Sequence, residues 1–269
     1  MKKIFFLFFA VNSIINCYSQ TADEYFNKGT AKYKLQDYPG AIADLTKAIE
    51  INPKDAQAYY NRGMAKMNVQ DFKGAVTDND KAIEINAKYT EAYNNRGVAK
   101  KELGNYKEAI EDLTRAIKIN PKYAEAYNNR GAVKEVMQDY PGAVADFNKT
   151  IAIDPRHAKA YYNRGKTKDE LHNYQGAIAD YTRSIAINPK DASAFNNRGI
   201  IKFNLQDYPG AISDYNQAIA IDPNLGETYS NRGLAKIRSG QKENGCADLD
   251  KAGKSGYEKA HDLIKKYCN

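Results

Sequence analysis

The chain has 269 residues, 42% of them hydrophobic, and carries 40 Lys+Arg against 33 Asp+Glu for a formal net charge of +7. Its histidines are His157, His172 and His261 only, in unrelated positions without metal-ligand spacing, which argues against a metal centre. There is no nucleophile elbow and no phosphate-binding glycine loop, so catalytic residues, metal and cofactors are all expected to be none.

In chain order, the first element is an apolar run from Ile4 to Ile15, behind Lys2 and Lys3 and broken only by Asn12 and Ser13. It is too short to span a membrane and suits a signal peptide over residues 1–19, with cleavage before Gln20, of a bacterial style. The expected location is therefore exported, periplasmic or secreted, with no transmembrane span. The alternative is an outer-membrane lipoprotein anchored by lipid at Cys17, although Asn16 before the cysteine suits that pattern poorly.

From there a 34-residue period dominates. Glycines stand at Gly29, Gly63, Gly97, Gly131, Gly165, Gly199 and Gly233. A fixed period of that length denotes one small unit in tandem. Each glycine lies in a segment of helical spacing, where it costs about 1 kcal/mol against alanine, so a second helix is expected to pack onto it. Four residues before each is an aromatic (Tyr25, Tyr59, Tyr93, Tyr127, Tyr161, Phe195, Tyr229), and twelve after comes Ala41, Ala75, Ala109, Ala143, Ala177, Ala211 and then Gly245. A further small residue follows at Ala48, Ala82, Ala116, Thr150, Ser184, Ala218 and Ala252, and most copies close at Pro53, Pro121, Pro155, Pro189 or Pro223. Each unit reads as two helices, for example Ala56 to Val69 and Phe72 to Ile85, with Asp71 as N-cap of the second. Asp37, Asn105, Asp139, Asn173 and Asp207 hold the same capping position. No strand pattern is present.

These residues resemble the tetratricopeptide repeat signature. The resemblance covers residues 22–255 as seven copies (22–55, 56–89, 90–123, 124–157, 158–191, 192–225 and 226–255). Ala87 in place of a closing proline, and Lys242 and Gly245 in the last copy, depart from it. It implies an all-α fold, an α-solenoid of antiparallel helix pairs wound into a right-handed superhelix. It also implies a non-enzymatic scaffold whose concave groove binds peptides or partner proteins.

Three charged columns share the period. Lys28, Arg62, Arg96, Arg130, Arg164, Arg198 and Arg232 precede the glycines, and Lys32, Lys66, Lys100, Lys134, Lys168, Lys202 and Lys236 follow three residues after. The second helix supplies Asp44, Asp78, Asp112, Asp146, Asp180, Asp214 and Asp248. An ion-pair ladder across the helix seam is expected, mainly through Arg62–Asp78, Arg96–Asp112, Arg130–Asp146, Arg164–Asp180 and Arg198–Asp214. The net positive charge then belongs to this motif, which weighs against a nucleic-acid partner; a basic ridge for a protein partner stays open.

A stripe that carries none of the core positions is left for a ligand. It includes the invariant Asn61, Asn95, Asn129, Asn163, Asn197 and Asn231, with Asn27 ahead of them, and the variable Tyr60, Met64, Tyr162, Lys166 and Phe203. Asparagine offers a donor and an acceptor, so the column can grip an extended peptide backbone or tie adjacent repeats together. The resemblance places this stripe on the concave surface. A structural subunit of an envelope assembly, contacted through its outer face, is the alternative function. The partner is a protein or peptide of unidentified sequence, and composition leaves the oligomeric state open.

At the C-terminus, residues 257–269 form a capping helix, with Tyr257, Ala260, His261, Ile264 and Tyr267 on one side. The mature chain keeps Cys246 and Cys268, which an oxidising compartment would join in a disulfide; two free thiols are the alternative. His157 and His172 are read as exposed loop or helix-end residues.

Overall fold

The computed structural model describes residues 21–268, and the expected signal peptide over residues 1–19, with Cys17, lies outside them. The described residues form helices and no strands, and contacts divide the chain into two units, Met1–Ile119 and Asn120–Asn269.

The first unit holds three helix pairs: α1 (Ala22–Lys34) with α2 (Tyr38–Ile51), α3 (Ala56–Asn68) with α4 (Phe72–Ile85), and α5 (Thr90–Glu102) with α6 (Tyr106–Ile119). The second holds α7 (Ala124–Val136) with α8 (Tyr140–Ile153), α9 (Ala158–Glu170) with α10 (Tyr174–Ile187), α11 (Ala192–Asn204) with α12 (Tyr208–Ile221), α13 (Gly226–Arg238) with α14 (Lys242–Lys254), and a last helix α15 (Lys259–Tyr267). Within each unit every helix packs on the next, and first helices of neighbouring pairs also touch. Each unit is thus an α-solenoid segment.

The helix boundaries follow from local chemistry. Asp37, Asp71, Asp139, Asn173 and Asp207 each accept a hydrogen bond from the backbone N–H three residues on, satisfying a donor that the first turn leaves unpaired. The turn before each cap is tight. Gln36, Gln70, Gln138, His172 and Gln206 sit there at φ between 57° and 63°, and Gly104 and Gly240 take the same register. This left-handed position turns the chain from first helix to second and accounts for the closing hydrogen bonds onto the preceding turn, such as Asp139 N–H to Lys134 O at 2.9 Å.

Core positions are small or apolar as the period requires. Ala41, Ala75, Ala109, Ala143, Ala177 and Ala211 are fully buried, as are Leu45, Leu113, Phe147 and Leu249. A Cβ on Gly131 would lie 2.7 Å from Phe147 Cε1, and one on Gly97 2.8 Å from Leu113 Cγ. The glycine column therefore marks where the second helix comes too close for a side chain. In the last pair the approach is tighter still: a Cβ on Gly245 would meet Gly233 O at 2.6 Å. That explains the glycine at a position held elsewhere by alanine.

In α15, Ala260 is buried and Leu263, Ile264 and Tyr267 are half-buried against the stack. His261 is exposed, because the helix turns Leu263 inward in its place. The sulfurs of Cys246 on α14 and Cys268 beyond α15 lie 2.02 Å apart with Cα atoms at 5.7 Å, the geometry of a disulfide.

Candidate functional site

Two surfaces carry the repeated polar residues: the seam between the helices of each pair, and the face formed by the first helices.

At the seam each arginine clasps the aspartate sixteen residues later. Arg164 donates from Nε and Nη2 to the two carboxylate oxygens of Asp180 at 2.8 and 2.6 Å. Arg62–Asp78, Arg130–Asp146, Arg198–Asp214 and Arg232–Asp248 repeat the two-point contact, as does Arg96–Asp112. The lysine one turn along the same helix also reaches the carboxylate: Lys66, Lys134, Lys168, Lys202 and Lys236 lie at 2.8 Å, and Lys100 at 2.7 Å. In the first pair, where lysine replaces arginine at position 28, Asp44 is held by Lys32 at 2.6 Å. Each guanidinium also lies over the aromatic ring three residues earlier, as Arg164 does 5.5 Å from the Tyr161 centroid. At Asp248 burial pushes the carboxyl up, but hydrogen bonds from Arg232 and Lys236 outweigh it and hold the group below the usual range.

A third contact has no counterpart in the sequence reading. The remaining arginine nitrogen, Nη1, reaches sixteen residues back to the preceding pair's second helix. Arg62 bonds Thr46 Oγ1 at 3.0 Å, Arg96 Asp80 at 2.6 Å, Arg164 Asn148 at 2.5 Å, Arg198 Thr182 at 2.9 Å and Arg232 Asn216 at 2.7 Å. The signal was a polar residue two places after each aspartate. Each of these five arginines thus fastens its own pair and registers it on the previous one.

On the first-helix face the asparagine column is present in both units, but its amides are not equivalent. Asn163 donates from Nδ2 to Asn128 Oδ1 at 3.1 Å, and Asn197 to the Tyr162 hydroxyl at 3.0 Å. Both are spent on the residue 35 positions earlier, in the preceding pair. Asn95 and Asn231 leave Nδ2 buried with no acceptor. Asn129 is also bonded, and Asn61 is half-buried on α3. Tyr60 stacks against Tyr89, with ring centroids 5.0 Å apart, and burial pushes its phenol up to about 12. Met64 sits half-buried one turn along from Tyr60. Lys166 is held on Glu135 at 3.0 Å, and Phe203 packs edge-on against Tyr208.

His157 is a helix-end residue as expected, but it is not exposed. It is the N-cap of α9, its side chain only 10% exposed. Nδ1 accepts from Ala160 N–H at 3.1 Å and Nε2 lies 3.2 Å from Glu125. The ring is a cap between neighbouring pairs, a role that asparagine or aspartate plays elsewhere. His172 is exposed, as read, and occupies a left-handed turn.

Paired helices, a repeated ion-pair ladder and an open first-helix face define a repeat scaffold for protein–protein interaction. Tetratricopeptide repeat models match residues 90–123, 158–191 and 192–225, a second such model matches 56–89, and a related repeat model matches 29–70. The chain belongs to the tetratricopeptide repeat family. Among solved structures it is similar to a tetratricopeptide repeat protein from Parabacteroides merdae, at 22% identity over 92% of this chain and 99% of that one, with a TM-score of 0.66. It is also similar to the MamA protein, at 26% identity over 64% of this chain and 94% of that one, with a TM-score of 0.58. YrrB, described as a TPR protein with an unusual peptide-binding site, is 22% identical over 68% of this chain and 95% of that one, with a TM-score of 0.53. No curated protein matches the chain at a significant level.

Proposed function

We propose that the chain is a non-enzymatic scaffold that binds an extended peptide or protein segment on its first-helix face, within a bacterial cell envelope. The observation that carries this reading is the asparagine column, unbroken from Asn27 to Asn231, on a stripe that no core position uses. Asn163 and Asn197 commit their amide nitrogens to the stack, which leaves the Asn163 carbonyl oxygen for a ligand's backbone N–H, while the Asn197 oxygen already accepts from Asn196. The peptide-binding site named for YrrB supports the same use of this fold. From the second pair onward the ladder absorbs two cations on one aspartate, so the positive balance gives no separate patch for nucleic acid. Export rests on residues 1–19 and on the pairing of Cys246 with Cys268, since such bridges persist in oxidising compartments.

The second reading is a structural subunit gripped through its outer face. It is favoured by the same two hydrogen bonds, because an asparagine that ties repeats needs no ligand. Replacing Asn95, Asn129 and Asn163 with alanine separates the two. Partner binding measured on the folded triple variant should weaken at least tenfold if the face is the site. Unchanged affinity would favour the structural reading. Mass spectrometry of the mature N-terminus tests export, with Gln20 as the expected first residue.

A further inference from the structure

Along the first-helix face of the second unit the wall residues change character at one step. At the contact of α11 with α13, a pocket of about 270 Å³ is walled by Ile200, Phe203 and Leu234 over the ring of the buried Tyr215. The residues one period earlier are Lys166, Asp169 and Glu170 in place of Ile200, Phe203 and Asn204. Two periods earlier they are Ala132, Glu135 and Val136. The volume falls just below the roughly 300–1,000 Å³ of small-molecule sites and suits one large side chain.

The rim is polar and unsatisfied. Asn231 follows Asn196 by 35 residues, the register in which Asn163 bonds Asn128, but Asn196 is already engaged. Its Oδ1 accepts from Thr228 Oγ1 at 3.0 Å, and its Nδ2 donates to Asn197 at 3.4 Å. Asn231 Nδ2 is left buried without an acceptor, a loss that is costly because the group gives up its water without gaining a partner. Turning this amide toward a ligand carbonyl breaks no internal hydrogen bond, whereas turning Asn163 or Asn197 breaks one.

The charge at this end is negative. Glu227 lines the pocket and makes no ion pair among the described residues. On the neighbouring α9, Asp169 and Glu170 stand side by side, and burial followed by the Glu170 charge holds the Asp169 carboxyl above its ordinary range. The cations on α9 are Lys159, which is exposed, Lys166, which is committed to Glu135, and Arg164 and Lys168, which are both committed to Asp180.

We propose that the α11–α13 pocket is the anchor subsite of the peptide-binding face, taking a bulky apolar side chain whose flanking residues are Lys or Arg. This rests on the groove reading above. The apolar side chain fills the space between Ile200, Phe203 and Leu234, Asn231 bonds its main-chain carbonyl, and Glu227 receives a flanking cation.

The test uses the full chain and three labelled peptides of equal length in Gly-Ser flanks, centred on Lys-Phe-Lys, Glu-Phe-Glu and Lys-Ala-Lys. Fluorescence anisotropy should show the first binding at least tenfold tighter than either other. Glu227→Gln, a change at an exposed carboxylate that leaves the core alone, should weaken it several-fold, and Leu234→Ala more. Equal binding of the Glu-Phe-Glu or Lys-Ala-Lys peptide, or indifference to Glu227→Gln, overturns the proposal. Selection from a random peptide library keeps the two readings apart. Binders that map to the first-helix face but lack apolar and basic residues overturn the subsite alone, and failure to recover any binder overturns both.

Discussion

Asn79 occupies the position held by Leu45, Leu113, Phe147, Tyr181, Tyr215 and Leu249 in the other copies, against the glycine of its own pair. It is fully buried; Nδ2 bonds Ala75 O at 2.8 Å, and Oδ1 has no partner. A buried acceptor without a donor costs more than the one bond returns. Asn79→Leu, which restores the side chain of the neighbouring copies, is expected to stabilise the first unit by about 1–2 kcal/mol in urea unfolding; a destabilised variant would contradict this. The ion ladder makes the opposite kind of demand. Asp180 is held by Arg164 and Lys168 at once, and Arg164 also holds Asn148. Removing the aspartate strands two half-buried cations, so Asp180→Ala should cost more than Arg164→Ala, which leaves Lys168 in place. A double-mutant cycle should return a coupling of about 1–3 kcal/mol, and additive effects would count against the pair.

At the scale of the helix pair the glycines differ in how much room they leave. A Cβ on Gly131 or Gly199 would stand 2.7 Å from an aromatic carbon of Phe147 or Tyr215, whereas one on Gly165 would stand 3.3 Å from Tyr181. The propensity gain of about 1 kcal/mol for Gly→Ala in a helix is the same at all three sites. The clash therefore sets the order: Gly165→Ala should be near neutral, with Gly131→Ala and Gly199→Ala destabilising by roughly 1–3 kcal/mol. Thermal melts that rank Gly165→Ala lowest would refute the contact account. The helix pairs, their caps and the aspartate ladder were legible because each rests on a residue type that repeats in strict phase. The turns were less so. Gln36, Gln70, Gln138, His172 and Gln206 take a left-handed conformation that glutamine does not advertise, and only Gly104 and Gly240 hint at it. On the candidate face, the phase located the asparagine column but not which amides are spent. That depends on whether the residue 35 positions earlier is already engaged: Asn128 accepts from Asn163, whereas Asn196 is held by Thr228 and leaves the Asn231 amide without an acceptor.

For the molecule as a whole, stability in a repeat stack is a sum over neighbours, and an end helix has a neighbour on one side only. Among the described residues α15 packs chiefly on α14, burying Ala260 and half-burying Leu263 and Ile264. So small a contact would open before the interior pairs. The Cys246–Cys268 bridge spans 22 residues and confines that opening. In the chain-entropy model a closed loop of this size contributes about 3 kcal/mol. Reduction, or Cys268→Ser, is therefore expected to strip hydrogen-exchange protection from residues 259–267 first, with protection across α7 to α12 little changed. Loss spread evenly over α7 to α15 would mean that the bridge supports more than the cap, and unchanged protection at 259–267 would mean that packing alone holds it. The thiol count adds the link to compartment. If the chain is exported as proposed, protein recovered from the envelope fraction under alkylating conditions should show no free thiol at either cysteine, because a cytosolic pool would keep both reduced. Two alkylated cysteines in that fraction would overturn the oxidised cap while leaving the stack and its first-helix face as they are.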